Sequence, residues 1–258
     1  MFSDYAILEV VVLSKKQKNG FIPALGETVP VLEASEEDLA RAEKQYKNTL
    51  RQEGEAVPDR IGRIFLELTA VHEKMTLALL PHNVFLVHGS ALCMDGRAYV
   101  FTAPSGTGKS THARLWREVY GDRVRMINDD KPYIRYDAAE RTFLVCGSPW
   151  RGKHGLGSNI EAPLGGICIL HRAVENSMKR IPAEEALPEL LPQIYRPSGR
   201  EDMVRTLAFT GSLLDQIPVY TMRCNMELSA ARLSCSVLTG SELSRQDLQS
   251  SDALCFTE

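Results

Sequence analysis

The chain has 258 residues, 44% hydrophobic and 24% charged, the balance of an ordinary soluble globular protein long enough to bury a core without staples. Its net charge of −3 and isoelectric point near 6.1 exclude a global basic field that would recruit nucleic acid or an anionic membrane. No run approaches the roughly 18 apolar residues of a membrane span, so neither nucleic acid nor membrane is an expected partner and the cytoplasm is the expected compartment. The six cysteines (93, 146, 168, 224, 235 and 255) include no C-x-x-C pair and mostly sit in apolar runs, which reads as buried reduced thiols.

Residues 1–58 read as a small N-terminal α+β lobe for packing or dimerisation. Tyr5 to Leu13 is β-prone, and its apolar part lacks the basic leader and cleavage site of a signal segment, so it reads as a strand. Ser35-Glu36-Glu37-Asp38 is a helix start, a capping serine followed by acids. Leu39, Ala42, Tyr46 and Leu50 give that helix only a thin apolar stripe, so a peripheral position is expected. Gly54 to Pro58 reads as a linker into a nucleotide-binding domain over 59–240, with 241–258 a polar tail. That domain opens on a helix carrying Ile61, Ile64, Phe65, Leu68, Val71, Met75 and Leu79 at helical spacing, ended by Pro81. His72 on it reads as a partly exposed structural histidine.

A hairpin follows: Val84 to Met94, the turn Asp95-Gly96, then Arg97 to Thr102. It leads into Ala103-Pro104-Ser105-Gly106-Thr107-Gly108-Lys109-Ser110-Thr111 and a helix to about Val119, the strand–glycine turn–helix context of a phosphate-binding P-loop. Alanine replaces the usual first glycine, but the two nearest the lysine remain and let backbone N–H groups converge on phosphate oxygens. The free N–H groups and dipole of the helix N-terminus add to that field. Pro104 through Thr111 are thus the candidate nucleotide-binding residues, with Lys109 on the outer phosphates and the Ser110 hydroxyl on a bridging Mg²⁺. His88, on the partner strand, reads either as a lining residue of that site or as a satisfied strand histidine.

Val124 to Asn128 is an apolar segment ending in Asp129-Asp130, twenty positions after Lys109. That layout is Walker-B-like: one carboxylate holds Mg²⁺ and its neighbour acts as base toward an acceptor hydroxyl, the alternative being a plain turn before Lys131-Pro132. A second hairpin pairs Pro132–Tyr136 with Thr142–Cys146. The glycine-rich loop from Gly147 to Gly157 offers Arg151 and Lys153 to a transferring phosphoryl group, or is a solvated surface loop. Gly165 to His171 reads as a buried strand. Residues 182–200 are proline-rich, with Arg196 and Arg200 weighed as substrate contacts against the commoner reading of exposed structural arginines. A helix over 201–217, a strand over Val219–Cys224 and a helix over 226–238 complete the reading.

The order His88-Gly89, P-loop, Asp129-Asp130 and basic glycine loop resembles the HPr kinase/phosphorylase group over roughly residues 84–238. The Ser105-to-Lys109 core is also similar to phosphoenolpyruvate carboxykinase, which shares that group's nucleotide-binding fold. The resemblance implies an α/β fold with a mixed, twisted sheet around the P-loop. It implies that Lys109 binds nucleotide phosphates, that Ser110 and Asp130 hold Mg²⁺ beside Asp129, that Asp129 is the catalytic acid/base, and that His88 lines the site. Arg151-Gly152 with Gly155-Leu156-Gly157 resembles the group's Arg-Gly-Leu-Gly stretch in split form. Thr111 stands where the regulatory HPr kinases commonly carry glutamate, so the likeness is to the divergent members, some of which phosphorylate a serine of a peptide or a small molecule; the chain is much shorter than a carboxykinase, whose activity is not expected.

The expected function is Mg²⁺-dependent phosphoryl transfer from ATP or another phosphate donor (ADP and pyrophosphate stay open) to a hydroxyl on a peptide, protein or small molecule; the related enzymes often assemble, and whether this chain is a homo-oligomer stays open as well. A non-catalytic nucleotide-binding sensor or scaffold is the alternative, and an NTPase coupled to conformational work a third.

Overall fold

The computed structural model describes residues 34–240 except Pro149 and Lys153, together with the backbone of four short strands before them. The expected tail over 241–258 lies outside the described residues. The chain divides into two compact units, Met1–Val84 and Phe85–Glu258.

In the first unit β1 (Tyr5–Ile7) pairs antiparallel with β2 (Val10–Val12), and β3 (Phe21–Ile22) with β4 (Glu27–Thr28). Helix α1 (Glu36–Glu53) starts on a complete capping box, Ser35 and Asp38 each closing on the other's backbone N–H, and stops at Gly54 with φ 72°. Lys74 lies 2.5 Å from Asp38, and this ammonium together with the Ser35 donors holds the carboxyl well below its ordinary range. Helix α2 (Arg63–Leu79) packs against α1 through a cluster of Leu39, Ala42, Leu66 and Ala70. The thin stripe of α1 is the face it buries, with Leu39, Ala42 and Leu50 out of solvent and Leu39 and Ala42 against α2. The spacing over-assigned α2's inner face, since Ile64 and Phe65 are 70% and 42% exposed, and His72 is buried rather than partly exposed. Pro81 sits in the 3₁₀ turn Leu80–His82 that ends the helix.

The second unit is α/β, a curled nine-stranded mixed sheet flanked by helices. Its elements are β5 (Val84–Leu86), β6 (Gly89–Met94), β7 (Arg97–Thr102), α3 (Lys109–Tyr120), β8 (Val124–Asn128), β9 (Tyr133–Asp137), β10 (Thr142–Cys146), β11 (Glu161–Arg172), β12 (Ser177–Ile181), α4 (Ala183–Leu190), α5 (Arg200–Gln216), β13 (Val219–Cys224) and α6 (Leu228–Thr239). The strand order is β5-β9-β10-β11-β7-β6-β8, with β13 beside the second half of β11 and β12 on β13. The long β11 changes partner midway, leaving β10 after Pro163 and taking β13 from Ile167. Its register against β7 shifts between Leu164 and Gly166, and a Cβ on Gly165 would stand 2.9 Å from the Tyr99 ring. That shift lets the sheet bend, and the curl brings β8 back against β10.

The hairpin forms as read, Asp95 and Gly96 both taking the positive φ of a two-residue turn (51° and 79°). The expected single strand from Val84 to Met94 is split, because the N–H groups of Val87 and His88 turn away to the carbonyls of Pro132 and Gln193. Trp116 is fully buried on the α3/α6 side of the sheet against Tyr99, Phe101 and Tyr120, and on the α5 side Phe85 stacks on Phe209 with Phe143 edge-on. Cys146, Cys168 and Cys235 are buried thiols, as their apolar runs suggest, while Cys93 and Cys224 are half-buried. No described helix is long and apolar enough to cross a membrane.

Candidate active site

Strand direction gathers the site. β6 is antiparallel to both β7 and β8, so β7 and β8 run the same way, and β11 is parallel to β7. The C-terminal ends of β7, β8 and β11 and the N-terminal end of β6 therefore share one edge of the sheet, where ligands of open α/β sheets commonly bind. Along that edge stand the glycine loop after Thr102, the Asp129-Asp130 turn after Asn128, Arg172 and His88.

The glycine loop spans Ala103 to Gly108 and feeds α3. Gly106 (φ 74°) and Gly108 (φ 116°) take the left-handed backbone that non-glycine residues avoid. Gly108 is also the N-cap of α3 and has no capping side chain, so the first N–H groups of the helix keep their positive end open. Pro104, Ser105 and Gly106 are exposed, and Thr107, Ser110 and Thr111 are half-buried. Lys109 is buried, its Nζ donating to the carbonyls of Ala103 (2.9 Å) and Pro104 (3.1 Å), so the ammonium is folded back along the loop. From β11, the Arg172 guanidinium donates to the carbonyls of Gly106 and Thr107. Those carbonyls belong to the peptide units whose N–H groups sit on Thr107 and Gly108. The Thr107 N–H donates to Pro104 O, so of the two units it is the Gly108 N–H that a cation on the oxygen side polarises toward an anion.

Asp129 is buried and accepts from Ser90 Oγ on β6 at 2.8 Å, which fixes one carboxylate oxygen. Its own N–H donates to Leu156 O, while Gly89 N–H donates to Asp130 O, so loop and β6 grip the turn from two sides. His88 lies at the start of β6, its carbonyl accepting from Thr102 Oγ1 at 2.8 Å. Its Nδ1 faces Gln193 Oε1 at 3.1 Å, an acceptor, so Nδ1 carries the proton and Nε2 keeps the lone pair. Burial, then the nearby Lys109 charge, push the His88 pKa below its ordinary value against the opposing pull of Asp130, leaving a neutral imidazole at pH 7. These effects place His88, Lys109 and Asp130 in one electrostatic neighbourhood.

The glycine-rich loop between β10 and β11 is exposed at Gly152, His154 and Gly155 and tied to β8 at its C-terminal end. Ser158 N–H donates to Ile127 O, and Gly157 makes a single antiparallel bridge to Asn128, so the loop is pinned to the end of β8. Gly152 has φ 66°, and a Cβ on it would lie 2.9 Å from the Asp130 Cβ, so this loop comes directly against the carboxylate turn. Arg151 precedes that contact and packs its stem on Gly157. Of the arginines weighed from the proline-rich segment, Arg196 and Arg200 are exposed. The residue of that segment that reaches the site is Gln193.

Asn128, Ser90, Gln193 and Arg172 all touch the site, and none was singled out by the sequence reading. Asn128 carries a local signal, an Asx side chain before a turn; the other three depend on strand register and on a segment distant in sequence.

No family model and no curated protein matches the chain. Among solved structures it is similar to the Hpr(Ser) kinase/phosphatase from Coxiella burnetii, with a TM-score of 0.34 and 10% identity, covering 64% of this chain and 98% of that one. That likeness assigns no residue a role.

Proposed function

We propose that this protein is a Mg²⁺-dependent phosphotransferase that moves the terminal phosphoryl group of a nucleotide, ATP or another phosphate donor, to a hydroxyl of a peptide, protein or small molecule. The observation carrying this reading is the convergence, on one sheet edge, of an anion-ready glycine loop with a buried lysine and a turn bearing two carboxylates. The loop amides and Lys109 hold the donor phosphates. Ser110 and Asp130, with Asp129 beside them, are hard oxygen donors of the kind magnesium takes, and the ion supplies charge neutralisation on the β- and γ-phosphates when bound. Asp129 accepts the proton of the acceptor hydroxyl as that oxygen bonds to phosphorus and the bond to the bridging oxygen breaks, releasing the shortened nucleotide. Arg151 faces the charge that develops on the transferring group, and neutral His88 lines the pocket as a further acceptor.

Lys109→Ala tests the reading. It is expected to lower phosphoryl transfer by about 10³-fold while circular dichroism stays that of wild type, since positioning and charge supply most of this catalysis. Full transfer by the purified variant sinks the assignment. Arg172→Gln is expected to weaken Mg-nucleotide binding roughly tenfold, the size of a lost charge-assisted contact, in titration calorimetry. Unchanged affinity would mean that Arg172 does not tune the loop amides.

A further inference from the structure

We infer that Asn128 is a positioning residue that joins the Asp129-Asp130 turn and the Trp150–Gly152 loop into one rigid unit. Its catalytic consequence rests on the phosphotransferase reading; its geometry does not. Asn128 is fully buried at the end of β8, and every polar valence it has is used. Oδ1 accepts from Asp130 N (2.8 Å) and Lys131 N (2.7 Å), which shapes the carboxylate turn. Nδ2 reaches Ser148 Oγ (3.0 Å), Trp150 O (3.0 Å) and Ser148 O (3.2 Å), three acceptors on the loop. Ser148, itself fully buried, then donates from Oγ to Lys131 O at 2.8 Å and closes the ring back onto the turn.

One side chain thus bonds the segment carrying both carboxylates with its oxygen and the segment carrying Arg151 with its nitrogen. The close approach of Gly152 to Asp130 leaves little slack between the two. Base, metal-side carboxylate and phosphoryl-facing arginine are therefore set at a fixed separation before any ligand arrives, the pre-organisation that phosphoryl transfer needs.

Asn128→Asp separates the two halves. It keeps the oxygen that accepts from the turn but sets a carboxylate oxygen against three acceptors, so only the loop half should fail. Amide exchange by NMR in the full chain is the first readout. In Asn128→Asp the amides of Gly147, Gly155 and Ser158 should exchange more than tenfold faster, with Asp130 and Lys131 still protected; in Asn128→Ala all five should speed up. The second readout is kinetic: kcat down about 100-fold with the Mg-ATP KM within twofold, the signature of misplaced groups rather than a lost donor site. Loop amides that stay protected in Asn128→Asp overturn the coupling, and an unchanged kcat with a loosened loop overturns the positioning role. Should Asn128→Asp fail to fold, Ser148→Ala, which cuts the return link to Lys131, is read by the same amides. A wild-type protein that transfers no phosphate refutes the functional reading, while the exchange pattern still decides the coupling.

Discussion

Replacing Asp129 with asparagine is expected to cut phosphoryl transfer about 10³-fold while nucleotide still binds. The two carboxylates of the turn sit in different surroundings. Asp129 is buried and tethered by Ser90, whereas Asp130 is half-buried, is bonded through its carbonyl to Gly89, and acts on the nearby His88. An asparagine at 129 preserves shape and can still accept from Ser90, so the fold should persist, but it cannot take the proton of an attacking hydroxyl. Asp130→Asn should behave differently, raising the magnesium concentration needed for half-maximal rate. The measurement is single-turnover transfer from labelled ATP with Mg²⁺ into a pool of serine peptides and small hydroxyl compounds. Full turnover by Asp129→Asn removes the base assignment. Tight nucleotide binding without labelled product in wild type favours the sensor or scaffold alternative.

The sequence made legible whatever its chemistry decides locally. The loop from Ala103 to Thr111 is readable because only glycine adopts the backbone found at 106 and 108 without strain, and because an apolar strand and a helix flank it. The α1 start, the Asp95-Gly96 turn and β13 are readable for the same reason. What escaped depends on partners far away in sequence. Nothing in the run from Ile167 to Arg172 says that its last residue reaches the carbonyls of Gly106 and Thr107, because that follows from the parallel register of β11 on β7. Gln193 was hidden in a proline-rich segment in which the arginines drew attention, yet its amide and its carbonyl both hold His88. Helical spacing alone put Ile64 and Phe65 inside because periodicity marks a face without saying how wide the buried part is. The glycine loop over 147–157 was legible as glycine-rich and basic, but its bridge to β8 was not, because that contact joins segments about thirty residues apart.

Acidification should destabilise this fold through His112, a residue with no part in the proposed chemistry. His112 lies on the buried face of α3, three positions after Lys109, is 2% exposed, and meets the Phe101 ring edge-on at 4.6 Å. Its Nε2 is 2.8 Å from Ser234 Oγ, which also accepts from Trp116 Nε1 at 2.8 Å and donates to Ala231 O at 3.1 Å. With its hydroxyl hydrogen committed to Ala231, Ser234 accepts from the imidazole, so Nε2 carries the proton and Nδ1 is a buried acceptor with no partner among the described residues. A second proton would have to sit on Nδ1, unpaired and out of water, and burial accordingly pushes the pKa from 6.5 down to about 4. Above pH 6.5 the imidazole is neutral in folded and unfolded chains alike and stability is insensitive to pH. As pH falls below 6.5 the unfolded chain takes the proton first, and stability drops until about pH 4, where the folded form titrates too. The total loss from this group is roughly 3 kcal/mol, a large share of the stability of an ordinary domain. His112→Gln keeps an amide donor for Ser234 without a titrating group. Urea unfolding followed by tryptophan fluorescence should therefore show wild type losing about 3 kcal/mol more than the variant between pH 7 and pH 4. If both lose stability in parallel, His112 is not the group through which acid acts on the helix that carries the phosphate loop.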